Sequence, residues 1–249
     1  MELLSVSQAA SLLDVHSSRV RQLLFDGGLR GQHIGNRWLV DGDSVRDRKQ
    51  RVHSPGRPLS ARNAWGAIAL LGGYSPVWLS APESSRLRAR LRDLALHSQP
   101  ADWHLQRLLA ARADVHRYRA HPGVLPAIVK DPEVVIGGVS AAAIVGADYV
   151  APNKAEVYVR HSKAANDLEA KFGMIIDQAR GNLLVRVPPE QGWAFLAMAS
   201  SSDDQRRYAP APVVAADLLD IQEDRAQAAA AGLLGPLLSA YAAKASNLG

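Results

Sequence analysis

An α+β fold is what this 249-residue sequence predicts, and three observations predict it. The first 52 residues carry two short amphipathic helix patterns and then a paired-strand pattern. Residues 53–113 carry leucines at helical spacing behind capping residues. From 114 onward, short β-branched runs alternate irregularly with helical stretches, the order of a mixed α/β domain. The predicted divisions are therefore 1–52, 53–113 and 114–249.

Composition narrows the chemistry. Hydrophobic residues make up 47% of the chain and charged residues 21%, as in ordinary folded proteins. There is no cysteine, which excludes disulfides, thiolate zinc sites and cysteine nucleophiles. Met1-Glu2-Leu3-Leu4 lacks the pattern of a signal peptide. No apolar run is read as approaching the roughly 18–20 residues of a membrane helix. The expectation is a soluble, cytoplasmic protein without a membrane partner. Net charge is +5, unevenly spread: residues 1–130 carry +9 and residues 131–249 carry −4. A basic N-terminal half suits a polyanion, since phosphate contacts supply most non-specific affinity for nucleic acid. It suits solvated helix faces equally well.

Each element has its own signal. Ser5-Val6-Ser7-Gln8 reads as a capping box. Val6, Ala9, Ala10 and Leu13 then line one helical face. Asp14-Val15-His16-Ser17 is a tight polar turn, and Ser17 or His16 caps a second helix. Val20, Leu23 and Leu24 form that helix's inner face, and Gly27-Gly28 ends it. Leu29, Ile34, Trp38 and Val40 suit two short strands around Gly35-Asn36, a pair that tolerates positive φ. Two helices, a short turn and a hairpin make a winged helix-turn-helix. In that geometry the second helix enters the major groove, its N-terminal residues nearest the bases. Its outward residues are Ser17, Ser18, Arg19, Arg21 and Gln22, all types that read base edges. Arg30 and Arg37 flank the hairpin, where contact with the backbone or minor groove is expected.

This stretch resembles the excisionase/MerR-like helix-turn-helix family. Ser5-Val6-Ser7-Gln8-Ala9-Ala10, Leu13-Asp14-Val15, Val20-Arg21-Gln22-Leu23, Gly28-Leu29 and Ile34-Gly35-Asn36-Arg37-Trp38 carry the likeness, in the family's order. His16 stands where Ser or Thr is usual and Asp14 where Gly is usual. Both are compatible with a turn.

Asp43 or Ser44 starts a third short helix. The stretch 46–58 is rich in Arg, Pro and Gly, and reads as a linker able to touch phosphate. Ser60 caps a helix holding Trp65, Ile68, Ala69 and Leu71, which ends at Gly72-Gly73. Ser80-Ala81-Pro82-Glu83 is a second capping box, and Leu87, Leu91, Leu94 and Ala95 form the apolar stripe that follows. Arg86, Arg88, Arg90 and Arg92 flank that stripe. They could lie along DNA, face solvent or face the acidic C-terminal part. A further helix holds Trp103, Leu105, Leu108 and Leu109.

In the last segment, Val115–Arg119, 134–136 and 155–159 read as strands. The stretch 121–130 reads as a short helix, as do 141–146 and 162–172. Strands at 174–177 and 183–187 around Arg180-Gly181-Asn182 signal a hairpin. Pro212 opens a helix to about Ile221, and another runs from Glu223 and breaks at Gly235-Pro236.

Little catalytic chemistry is legible. Gly138-Val139-Ser140-Ala141-Ala142 lacks the second Gly of a nucleophile elbow. There is no P-loop and no HExxH. The eight histidines show no paired ligand spacing. Gly137-Gly138-Val139-Ser140, followed by a strand with Glu156, is similar to a nucleotidyltransferase core. That chemistry needs two carboxylates on one strand to hold Mg²⁺. The alternate position is Tyr158, and phenol is a poor ligand for a hard cation. The site is read as absent or decayed: no catalytic residue, no metal and no cofactor is expected.

The motif order over nearly the whole chain resembles a group of actinobacterial helix-turn-helix proteins and, more distantly, antitoxins of the abortive-infection AbiEi type. That order runs through 57–65, 78–86, 117–122, 137–143 and 212–220 after the N-terminal unit. The resemblance implies a winged-helix DNA reader joined to an α/β domain, repression of its own operon, and opposition to a nucleotidyltransferase toxin. The reading is therefore a sequence-specific repressor binding double-stranded operator DNA. A homodimer or cooperative monomers would cover two half-sites. The alternative is an interaction module whose C-terminal domain neutralises a toxin, with DNA binding secondary.

Overall fold

The structure is a computed structural model that describes residues 3–13, 15–25, 29–35, 37–45, 58–97, 101–203 and 206–246. The chain divides after Gly56 into two compact units. Asp14, Gly27-Gly28, Asn36 and the linker stretch up to residue 57 lie outside the described residues.

The first unit opens with a strand absent from the sequence reading, β1 (Leu3–Ser5), followed by α1 (Val6–Leu13) and α2 (Ser17–Phe25). The predicted capping box is formed. The Ser5 amide donates to Gln8 Oε1 at 2.8 Å and the Gln8 amide to Ser5 Oγ at 3.2 Å. Strands β2 (Gly31–Ile34) and β3 (Arg37–Asp41) make the hairpin, with Gly35 at φ +60° in its turn. β1 pairs antiparallel with the free side of β3, giving the order β1-β3-β2. Ala9, Leu13, Val20, Leu23, Leu24 and Val40 form the small core. A helical turn at 42–45 follows. Asp41 begins it, accepting the Asp43 amide at 2.9 Å, so it starts before the predicted Asp43 or Ser44.

In the second unit, α3 (Ala61–Leu71), α4 (Ala81–His97) and α5 (Ala101–Leu109) share one core with the C-terminal elements. Ser60 caps as expected, and at Ser80 the bonds run from the serine to Glu83 rather than from a helix amide to the serine. Ser60 Oγ accepts the Asn63 amide, and Glu83 Oε2 accepts both the amide and the hydroxyl of Ser80 at 2.8 Å. Every residue of α3 from Ala64 to Leu71 is buried, so this helix is surrounded rather than half-exposed.

Then come β4 (Asp114–Arg119), a 3₁₀ turn (Pro122–Val124) running into α6 (Leu125–Ile128), β5 (Val134–Ile136) and α7 (Gly138–Ala141). β6 (Ala155–Val159), α8 (Ser162–Phe172), β7 (Ile175–Ile176), β8 (Leu183–Val187) and α9 (Glu190–Ala199) follow. β9 (Ser201–Asp203), β10 (Arg206–Tyr208), α10 (Ala211–Leu219) and α11 (Asp224–Ser246) complete the unit. The seven strands run in the order β7-β4-β8-β6-β5-β10-β9. β6 and β8 are parallel, as are β5 and β10; the other pairs are antiparallel. Alternation along β6 and β8 sends Val157, Val159, Leu183 and Val185 toward α8. Tyr158, by contrast, joins the helical core.

Four expectations need correction. The strands around Arg180-Gly181-Asn182 do not pair with each other: β7 and β8 flank β4 on opposite sides. Asp177 Oδ1 accepts the amides of Ala179 and Arg180, and Asn182 bonds the backbone of Ala120 in both directions, so the turn carries the chain across β4. The small-residue helix begins at Gly138, not Ala141, and ends at Ala141 in turns that reach Gly146. α11 continues through Gly235-Pro236. Pro236 forfeits a bond to the Gly232 carbonyl, and the buried Leu234 and Leu238 hold the helix on either side of it. Finally, Asp224–Lys244 is long and apolar enough to cross a membrane, by length and composition only. Small residues disguise the run, since 226–243 is free of charge but rich in Ala and Gly. Ala226, Ala230, Leu234 and Leu238 lie four apart and form one buried stripe against the core, with 28% of the span buried.

Candidate functional site

Two places concentrate polar groups, one in each unit. In the first, Val20, Leu23 and Leu24 turn inward and leave a polar face on α2. Ser18, Arg19, Arg21 and Gln22 are exposed and Ser17 is half-buried. Arg19 Nη1 donates to Gln22 Oε1 at 2.8 Å, one turn along the helix, so two proposed base readers hold each other. The helix start belongs to His16 rather than Ser17: Nδ1 accepts the Ser18 amide at 3.4 Å and the His16 carbonyl accepts the Arg19 amide at 2.9 Å.

The wing arginines differ. Arg37 sits in β3, and its side chain lies outside the described residues. Arg30 Nε donates to Asp41 Oδ2 at 3.0 Å, while its amide donates to Ser44 Oγ at 3.2 Å. That bond holds the Asp41 carboxyl below the usual carboxylate range. Arg30 thus ties the entry of the hairpin to its exit, a role the sequence reading did not assign.

The second place is a buried charge network under the small-residue loop. Glu156 on β6 and Arg186 on β8 are 2% and 3% exposed, and Arg186 Nε donates to Glu156 Oε1. Arg186 Nη2 lies 3.0 Å from Asp220 Oδ2. Arg112, just before β4, donates to Asp217 at 2.8 Å and to Asp220 at 2.6 Å. Tyr158 donates its hydroxyl to Asp217, which also accepts the Gly138 amide at 2.9 Å. Two guanidiniums thus face three carboxylates. The surplus fits the titration of Glu156: burial, opposed by Arg186 and reinforced by Asp217, holds its carboxyl up at about 7. Burial likewise raises the Tyr158 phenol, with Asp217 adding to the effect.

This arrangement explains the paired glycines. A Cβ on Gly138, at φ +42°, would lie 1.8 Å from Glu156 Oε2, and one on Gly137 would meet the Tyr158 ring at 2.7 Å. It also explains why the loop is not a phosphate cradle. The Gly138 amide is taken by Asp217, and Ser140 Oγ accepts the Glu156 amide at 3.0 Å. Where a nucleotidyltransferase-like site would present carboxylates to a cation, Glu156 meets a guanidinium and the neighbouring position is a phenol. Among the described residues no group of three or more His, Asp or Glu is placed to hold a metal ion.

Sequence reasoning singled out Glu156 and Tyr158 but missed Arg112, Arg186 and Asp217. A signal was present: Arg186 and Asp217 interrupt otherwise apolar runs at inward-facing positions. A cleft of about 350 Å³ opens beside the network, with Glu156 and Arg186 at its back and Asp220, 29% exposed, at its mouth.

No curated protein and no solved structure matches the chain. Residues 85–235, more than half of the chain and all within the second unit, match the family described as transcriptional regulator, AbiEi antitoxin, type IV toxin–antitoxin system. The sheet, the buried network and the helices around them therefore have an assignment: the chain belongs to the AbiEi antitoxin family of transcriptional regulators.

Proposed function

We propose that the protein is a non-catalytic, cytoplasmic DNA-binding repressor that occludes its own promoter through the first unit, a winged helix-turn-helix. The observation that carries this is the α2 face. Ser17, Ser18, Arg19, Arg21 and Gln22 project from a helix whose other side is fixed by its own core, beside a hairpin braced by Arg30 and Asp41. Arg19, Arg21 and Gln22 read base edges, while Arg30 and Arg37 hold the wing on the backbone. A homodimer or cooperative monomers would span two half-sites. Footprinting upstream of the protein's own gene at two salt concentrations tests this. Protection should weaken steeply with salt. Arg19→Ala should cost about 1–3 kcal/mol and relax choice at one base, whereas Arg37→Ala should weaken all sequences alike. Unchanged affinity in both variants would remove the assignment of contacts.

One observation favours a second role, toxin neutralisation by the C-terminal unit. The family match, residues 85–235, lies wholly within the second unit, which supports a part for that unit in the antitoxin role. A nucleotidyltransferase-type toxin is the proposed partner. Co-purification with the neighbouring gene product distinguishes direct capture, a stable complex, from rescue without contact.

A further inference from the structure

The cleft beside the buried network has an unbalanced lining. Its acidic groups are all engaged: Glu156 by Arg186, Asp220 by Arg112 and Arg186, and Glu223 by Tyr149 at 3.0 Å and Lys154 at 3.5 Å. Asn182 is also spent, on Ala120. One cation is left over. Arg117, on the same face of β4 and half-buried, lines the cleft without a side-chain partner among the described residues. Its stem is confined, since a Cβ on Gly181 would lie 2.5 Å from Arg117 Cγ. Val115, Val139, Leu184 and Ile221 give the cleft an apolar part, and Gln222 adds a polar side chain. A guanidinium on a confined stem can receive an oxyanion, and apolar side chains beside it favour a ligand with an apolar body.

We propose that this cleft binds a small organic anion, its carboxylate or phosphate on Arg117 and its apolar body against Leu184, Val115 and Ile221. The buried network is the rigid back of the site and takes no part in chemistry. Such a ligand would give the antitoxin a small-molecule input separate from DNA and toxin.

The test is calorimetric titration of the full chain with benzoate, phenyl phosphate and the neutral benzamide, read alongside melting curves. Saturable 1:1 binding of one anion or both is expected, at least tenfold tighter than benzamide. The stronger arm tells carboxylate from phosphate. Arg117→Gln should weaken binding at least tenfold, and Ile221→Trp, which fills the recess from its loop, should do the same. Arg86→Gln, on the exposed face of α4, should leave it unchanged. Absence of saturable binding, equal binding of benzamide, or full affinity in both Arg117→Gln and Ile221→Trp would overturn the proposal.

Discussion

Single residues decide how the buried network behaves. Glu156 titrates near 7 against an unperturbed 4.5, so the native state holds its proton more tightly than the unfolded chain. The resulting stabilisation is complete below about pH 4.5 and is lost as pH rises through about 7. Asp41 and Glu223 act in the opposite sense, their carboxyls being lowered by Arg30 and by Tyr149. Their contributions are lost only on acidification, which leaves pH 5 to 8 as the window for Glu156. Urea denaturation at those two pH values should show wild-type stability falling with pH, and Glu156→Gln should flatten most of the fall. An unchanged slope would mean that Glu156 is ionised throughout beside Arg186. Gly138 offers an independent check. Alanine there combines a left-handed backbone with a Cβ inside the Glu156 carboxylate, and should cost about 3 kcal/mol or more by the same measurement. The sequence showed a Gly-Gly-x-Ser motif, but not that it closes over the carboxylate. That depends on β5 pairing antiparallel with β6, which brings the Gly137 amide to the Glu156 carbonyl, and no local pattern encodes such pairing.

Among the elements, local chemistry was the most legible. The capping box at Ser5–Gln8 forms as read and the one at Ser80–Glu83 forms in its return half, from Ser80 to the Glu83 carboxylate, while the strand 155–159 and helix 162–172 have the predicted limits. Bonds from the Ser80 amide and hydroxyl, then from Arg62, hold Glu83 down to about 2, so this cap is intact at any ordinary pH. Ser80→Ala should therefore cost about 1 kcal/mol, read as a lower urea midpoint at unchanged slope. The misread elements share one cause, contacts distant in sequence. β7 has only two residues and exists because β4 pairs with it. α9 carries no clean stripe, because Gly192 sits on the Trp65 ring while Trp193 lies under Arg207. α11 survives its Gly-Pro pair because Leu234 and Leu238 are anchored in the core on either side.

For the whole molecule, two compact units joined near Gly56 predict two unfolding events. The first unit has a small core and should be marginal, whereas the second packs two larger clusters against its sheet. Scanning calorimetry should resolve a small transition and a large one. Operator DNA should raise only the former, and benzoate or phenyl phosphate only the latter. A single cooperative transition would argue against this division. The sequence by itself determined the α+β class, most helix starts, the polar outer face of α2 and the phenol two residues after Glu156. These are local, since capping, periodicity and residue chemistry act over a few positions. Tertiary structure alone decided that β4 separates β7 from β8, that helices 61–109 belong to the core of the sheet domain, and that Arg112, Arg186 and Asp217 meet around Glu156. Residues up to 105 positions apart make those contacts, and burial, which sets their charge states, exists only once the chain has closed around them.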